Sequence, residues 1–192
     1  KSGAIDIPHV SISDHKIQIP GEAVKMGDGK FIGLVSLTTD KPDALLMARG
    51  YLHYFESFNS DRALLDSVKY YLDKTAEKND SYSAVLIHYY YLQQDYKNII
   101  TTSSAFKKLT KLDAWTAYRV GEAFLNTQSY TEAATYFQQA VNEEKYNLDY
   151  NFKLATAKIF SGKSEEAENL LQFIVAENPT YHMAWNNLGV LH

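Results

Sequence analysis

Beyond residue 41 the apolar positions recur every three or four residues, the period of a helix that buries one face. The pattern predicts helices over 42–57, 61–77, 81–93, 96–109, 114–126, 130–142, 148–160, 164–176 and 182–192. Short polar breaks divide them, among them Asn79-Asp80, Gln93-Gln94-Asp95, Asn126-Thr127-Gln128 and Ser161-Gly162-Lys163. Three-turn helices with breaks this tight imply antiparallel helical hairpins. Asp40 is expected to cap the first of them, with Lys41 and Pro42 in a first turn where a missing N–H costs nothing.

Ahead of residue 40 the pattern changes. Val10, Ile12, Ile17 and Ile19 alternate with polar neighbours, as in a half-buried strand, and Phe31-Ile32-Gly33-Leu34-Val35 is a second short apolar run. Five of the nine glycines fall here. Met26-Gly27-Asp28-Gly29-Lys30 reads as a turn, too short and in the wrong order for a phosphate-binding loop. Residues 1–40 therefore form an extended leader with at most a short β-hairpin, and residues 41–192 a helical array.

The array repeats. Gly121, Ala155 and Gly189 are spaced by 34 residues, with Val120, Leu154 and Leu188 one position earlier. Ala133, Phe137 and Ala140 recur as Ala167, Leu171 and Ile174. Pro179 closes one unit, and Trp185-Asn186-Asn187-Leu188-Gly189 opens the next. The pattern W-x-x-L-G, then a small residue, F, A and P, resembles the tetratricopeptide repeat. That resemblance implies an all-α, right-handed solenoid of stacked hairpins, with units at 42–78, 80–113, 114–147, 148–181 and a partial 182–192. The small residues are expected to let the two helices of a hairpin approach, while large ones fill the gaps between repeats. The register is strong from 114 onward and fair over 80–113, where Ile87 replaces the small residue. It is weak over 42–78, where Gly50 and Ala63 do not fit. Asn151 and Ala117 stand where Trp185 stands, Lys158 where Phe124 stands and Lys145 where Pro179 stands.

The sequence begins Lys1-Ser2-Gly3 and stops at His192, inside the first helix of a new unit. Both features suggest an excised piece of a longer chain. Without a second helix, the apolar side of Trp185, Leu188 and Leu191 is expected to be uncovered, open to further chain or to self-association.

The leader stretch from Ala4 to Ile17 carries Asp6-Ile7-Pro8-His9-Val10 and Asp14-His15-Lys16-Ile17. It resembles the segment that follows the last C-x-x-C-H motif in bacterial multihaem cytochromes with tetratricopeptide repeats. The resemblance implies an extracytoplasmic or periplasmic parent holding c-type haem, with His9 and His15 as candidate axial ligands there. In an extended strand the two are about 20 Å apart, too far to share one metal. The alternative is that both are ordinary loop histidines. No cofactor or metal is expected in these 192 residues themselves: with no cysteine they can form no disulfide, thiolate site or covalent c-type haem.

Composition narrows the function. A net charge of −4 gives no electrostatic footprint for nucleic acid, and no run spans a bilayer. Glu143-Glu144 and Glu165-Glu166 read as solvated acids near helix ends, and H-E-x-x-H, G-x-S-x-G and P-loop motifs are absent. No catalysis is expected. In tetratricopeptide arrays the first helix of each pair lines a concave groove. By register that groove holds His88, Tyr91 and Leu92; Trp115, Tyr118, Glu122, Leu125 and Asn126; Asp149, Phe152, Thr156 and Phe160; and Met183, Asn186 and Val190. Aromatics mixed with amides suit an extended peptide or partner loop. The Lys/Asn cluster that clamps a C-terminal carboxylate in chaperone-binding members is not present. The alternative is that these aromatics pack against residues 1–40.

Overall fold

The computed structural model describes residues 43–58, 60–104 and 112–191. Among them the regular elements are helices: α1 (Ala44–Ser57), α2 (Ala63–Lys74), α3 (Asp80–Leu92), α4 (Tyr96–Ser104), α5 (Ala114–Asn126), α6 (Tyr130–Glu143), α7 (Leu148–Phe160), α8 (Ser164–Glu177) and α9 (His182–Leu191). The leader, with its expected strands and with His9 and His15, lies outside the described residues.

Short polar signals cut these helices at a constant interval. The side chains of Asn79, Asp113 and Asn147 accept from the backbone N–H of Tyr82, Thr116 and Tyr150 at 3.0, 2.9 and 3.3 Å. Each satisfies an orphan donor at the start of α3, α5 or α7. The same helices end at Gln94, Gln128 and Gly162, with φ of 58°, 62° and 77°. Behind each, Asp95, Ser129 and Lys163 donate N–H to the carbonyls of Tyr90, Phe124 and Lys158 at 2.9, 2.9 and 2.8 Å. This left-handed cap reverses the chain within a few residues. Caps and reversals both recur every 34 residues, so α3, α5 and α7 fold back onto α4, α6 and α8 in the same way.

Each helix packs on its successor, and α1 also meets α3, and α3 meets α5. The result is an all-α solenoid, with odd helices along one face and even helices along the other. Three apolar clusters run through it in sequence, centred on Tyr51 and Val68, on Phe137 and Val120, and on Leu171 and Ala155. At Gly121 an added Cβ would lie 2.7 Å from two ring carbons of Phe137. The small residue thus makes room for a buried ring rather than for the neighbouring helix backbone. In the preceding repeat the sizes are exchanged: Ile87 is fully buried, and Ser103, the counterpart of Phe137, is buried and small. Summed volume is conserved, which a close-packed interior requires.

Several expectations are corrected. The first helix starts at Ala44 behind Asp43, whose carbonyl accepts from Met47 N–H at 3.0 Å, and the Asp43 side chain makes no capping bond. The expected cap, Asp40, lies outside the described residues. The second helix stops at Lys74, because Thr75 is extended and its hydroxyl donates back to Tyr71 O at 2.9 Å. Lys78 Nζ donates to Leu72 O at 3.0 Å and satisfies another terminal carbonyl. Leu188 is buried against α7 and α8 rather than uncovered, and Leu191 packs beside it. Trp185 is exposed, its indole N–H donating to Pro179 O at 3.0 Å, and Val190 is exposed too.

The departures from the repeat pattern have polar solutions. Asn151 is buried, and its amide donates to Lys145 O and Asn147 O at 2.9 Å each, pinning the loop ahead of α7. Lys158 buries its stem and pairs with Glu166. Glu166 is therefore not simply solvated: the hydrogen bond from Lys158 holds its carboxyl below the usual range.

Candidate functional site

The odd-helix face is joined by side chains from one end to the other. At its centre stands Arg119 of α5, only 3% exposed. Its guanidinium lies 4.3 Å from the centre of the Trp115 ring and 5.6 Å from that of Tyr91. Trp115, one turn earlier on α5, also stacks on Tyr118 at 5.5 Å and 12°. Tyr118 in turn contacts Phe137 and Tyr150. One aromatic sandwich thus fixes Arg119 on the outside and reaches the core on the inside. Trp115 itself remains 44% exposed.

The charges around Arg119 come from three helices. Glu56 Oε1 of α1 lies 2.8 Å from His88 Nε2 of α3 and 3.5 Å from Arg119 Nη2. Glu56 thus forms an ion pair with Arg119 and a close polar contact with the His88 ring, while Nε and Nη2 of Arg119 have no aligned hydrogen-bond acceptor. Burial, reinforced by the Arg119 charge and opposed by Glu56, pushes His88 down to about 4, so the ring is neutral at pH 7. Burial also pulls Arg119 down to about 10, against the attraction of Glu56, and it remains charged. Burial and the neighbouring Glu122 carboxylate raise the Tyr118 phenol.

A cavity of about 370 Å³ opens between α1, α3 and α5 beside this group, walled by Leu52, Glu56, Val85, His88, Trp115 and Arg119, among others. Farther along the face, Lys153 Nζ reaches Glu122 Oε1 at 2.9 Å, and Tyr181 donates its hydroxyl to Asp149 Oδ1 at 2.7 Å.

The residues expected in the groove separate into three groups. His88, Tyr91, Trp115, Tyr118 and Glu122 converge around Arg119 or on its helix. Phe152 packs half-buried on Tyr181 ahead of α9, and the Thr156 hydroxyl donates to Phe152 O one turn earlier on its own helix at 2.9 Å. Asn126 is exposed and bonds Glu122 O at 2.9 Å, while Asn186 is exposed on α9 and apart from the cluster. Sequence reasoning missed Arg119, Glu56 and Lys153. For Arg119 a signal existed: it lies four residues after Trp115, on the same helical face. For Glu56 there was none, since α1 fits no repeat register. Among the described residues no three His, Asp or Glu side chains are placed to hold a metal, and no helix is long and apolar enough to cross a membrane.

No family model and no curated protein matches the sequence. Solved structures do match. A putative kinesin light chain of Podosopora anserina with nearly identical TPR-like repeats is similar with a TM-score of 0.56 and 16% identity, over 79% of this chain and 87% of that one. A single-substitution variant of that protein gives a TM-score of 0.54, with the same identity and coverage. The fold is therefore that of TPR-like helical repeats.

Proposed function

We propose that the chain is a protein-interaction scaffold that takes an extended peptide or a partner loop along the odd-helix face and performs no chemistry of its own. The fold favours this, since stacked repeats build long inner surfaces for binding. The observation that carries the reading is Trp115. A large ring, held in place by Tyr118 and Arg119 yet still substantially exposed, offers contact area at little ordering cost on binding. Asn126, exposed on the same helix, supplies a polar group suited to a peptide backbone.

Peptide selection from a random extended library, followed by fluorescence polarisation, tests this. Trp115→Ala and Asn126→Ala are expected to weaken the selected peptide, the former by about tenfold or more. Gln138→Ala on α6 should leave it unchanged. Selected peptides indifferent to both odd-helix substitutions refute the reading. A second reading, the docking region of an extracytoplasmic multihaem cytochrome, is favoured by the leader motif alone. A reading frame upstream of Lys1 without C-x-x-C-H motifs refutes it.

A further inference from the structure

The 34-residue register breaks at one place away from the odd-helix face. Over 114–147, Phe124 of α5 lies flat on Tyr136 of α6, with ring centres 5.3 Å apart at 10°. Lys158 stands at the matching position of α7, two residues past Thr156 and so across that helix from the groove. The neighbouring even helix changes too. Ile100 of α4 and Phe124 both pack on the central apolar cluster, whereas Ala134 of α6 is the counterpart of Ile100. Two large apolar side chains thus give way to a methyl group and an ammonium. A cavity of about 260 Å³ lies there, between α6 and the turn from α7 to α8.

The cavity is cationic. Thr131, Ala134 and Thr135 of α6 wall it on one side, and Lys158, Ser161 and Lys163 on the other, while no acidic side chain among the described residues lines it. Lys158 is only 11% exposed, and among the described residues its Nζ meets one acceptor, the carboxylate of Glu166, which is 56% exposed. An ammonium carries three N–H donors, so two are left to point elsewhere. Thr135 and Ser161 direct their hydroxyl protons to Thr131 O and Lys158 O, both at 3.1 Å, and Thr131 adds an exposed hydroxyl. Glu166 offsets one of the two lysine charges and leaves the other.

Ammonium groups on flexible stems act as point charges and suit a tetrahedral oxyanion, whereas a planar carboxylate is better met by a guanidinium fork. A phosphate monoester brings about two negative charges at pH 7, enough to neutralise Lys163 and to share Lys158 with Glu166. The Ala134 methyl group gives the ester carbon an apolar wall.

We propose that this cavity binds a phosphate monoester, with Lys158 as its buried anchor, Lys163 as the second cation at the rim and Thr131 as a hydroxyl donor. The site lies outside the peptide-binding face and does not depend on that reading.

The test is a titration of the 15N-labelled chain at constant ionic strength with methyl phosphate and with N-acetyl-phosphoserine amide, acetate serving as the control anion. The expected result is a saturable shift of the Thr131, Thr135, Ser161, Gly162 and Lys163 amides with at least one ester. The tighter probe tells a small phosphate ester from a phosphorylated residue of a protein. Lys163→Gln should weaken that binding by about threefold to tenfold. Ala134→Ile, which restores the bulk of Ile100 and keeps both lysines, should abolish it, as should Lys158→Phe, which restores the aromatic of the preceding repeat. Circular dichroism checks that these variants fold. No saturable shift with either ester overturns the proposal, as does an equal response to acetate. Unchanged affinity in Lys163→Gln, or binding that survives in folded Ala134→Ile, also overturns it, since either would mean diffuse attraction to surface charge.

Discussion

Gly121→Ala probes the packing on which the array depends. An added methyl would lie 2.7 Å from Cδ1 and Cε1 of Phe137, and 3.1 Å from its Cγ. Ordinary carbon contacts begin near roughly 3.5 Å, and Phe137 is fully buried. The ring must therefore move by most of an ångström into filled space, at a cost of roughly 1–3 kcal/mol. Alanine also favours a helix over glycine by about 1 kcal/mol, which partly conceals this cost. Gly50→Ala supplies the correction: Gly50 is mid-helix in α1, and nothing lies within 4 Å of its added methyl. Gly50→Ala should stabilise by about 0.5–1 kcal/mol. The difference between the two variants isolates the collision and should be about 1–3 kcal/mol. Urea titration followed by circular dichroism and by tryptophan fluorescence measures both. Adding Phe137→Leu to Gly121→Ala should recover part of the loss, giving a coupling of at least about 0.5 kcal/mol. If Gly121→Ala is as stabilising as Gly50→Ala, the ring does not occupy that space and the packing described for the repeat is wrong.

Two further outcomes follow from local geometry. Gln128 holds φ at 62°, where a side chain is strained and glycine is not, so Gln128→Gly should raise stability by about 0.5–1 kcal/mol in the same titration. A fall of that size would mean that the reversal after α5 is held by the Gln128 side chain instead. His88 is depressed from 6.5 to about 4, so the unfolded chain takes up its proton first as pH falls. Its stabilising effect is complete above about pH 6.5 and is lost progressively toward pH 4, by about 3 kcal/mol at most. Unfolding free energies at pH 7, 5.5 and 4.5 should therefore fall more steeply for the parent chain than for His88→Gln; equal slopes would place His88 in contact with water.

The solenoid was legible because the small and large apolar positions, Gly121 with Phe137 and Ala155 with Leu171, repeat on one interval. Polar positions on the same interval carried as much information. Asn79, Asp113 and Asn147 mark helix starts, and Gln94, Gln128 and Gly162 mark the reversals. Asn79, Gln94, Gln128 and Gly162 are visible as polar breaks, but their capping and reversing roles are not, since a cap or a left-handed turn leaves no apolar trace. The polar departures behaved differently. Asn151 and Lys158 look like faults in the pattern, but each is buried with a partner that only the folded loops bring near. The centre of the site was the least legible part. Glu56 and Arg119 meet because α1, α3 and α5 stack in one particular way, and α1 has no register from which that stacking could be read. Phe152 and Thr156 show another limit: periodicity assigns them to the groove but does not reveal that Phe152 packs on Tyr181 ahead of α9 and that the Thr156 hydroxyl bonds its own helix.

The central claim is that partners bind the odd-helix face. Chemical-shift mapping of the 15N-labelled chain with a selected peptide tests it directly. Perturbations are expected at Tyr91, Trp115, Tyr118 and Asn126, continuing toward α7, with the even helices quiet. Shifts concentrated instead at Gln138, Tyr136 and Gln172 on α6 and α8 would contradict it.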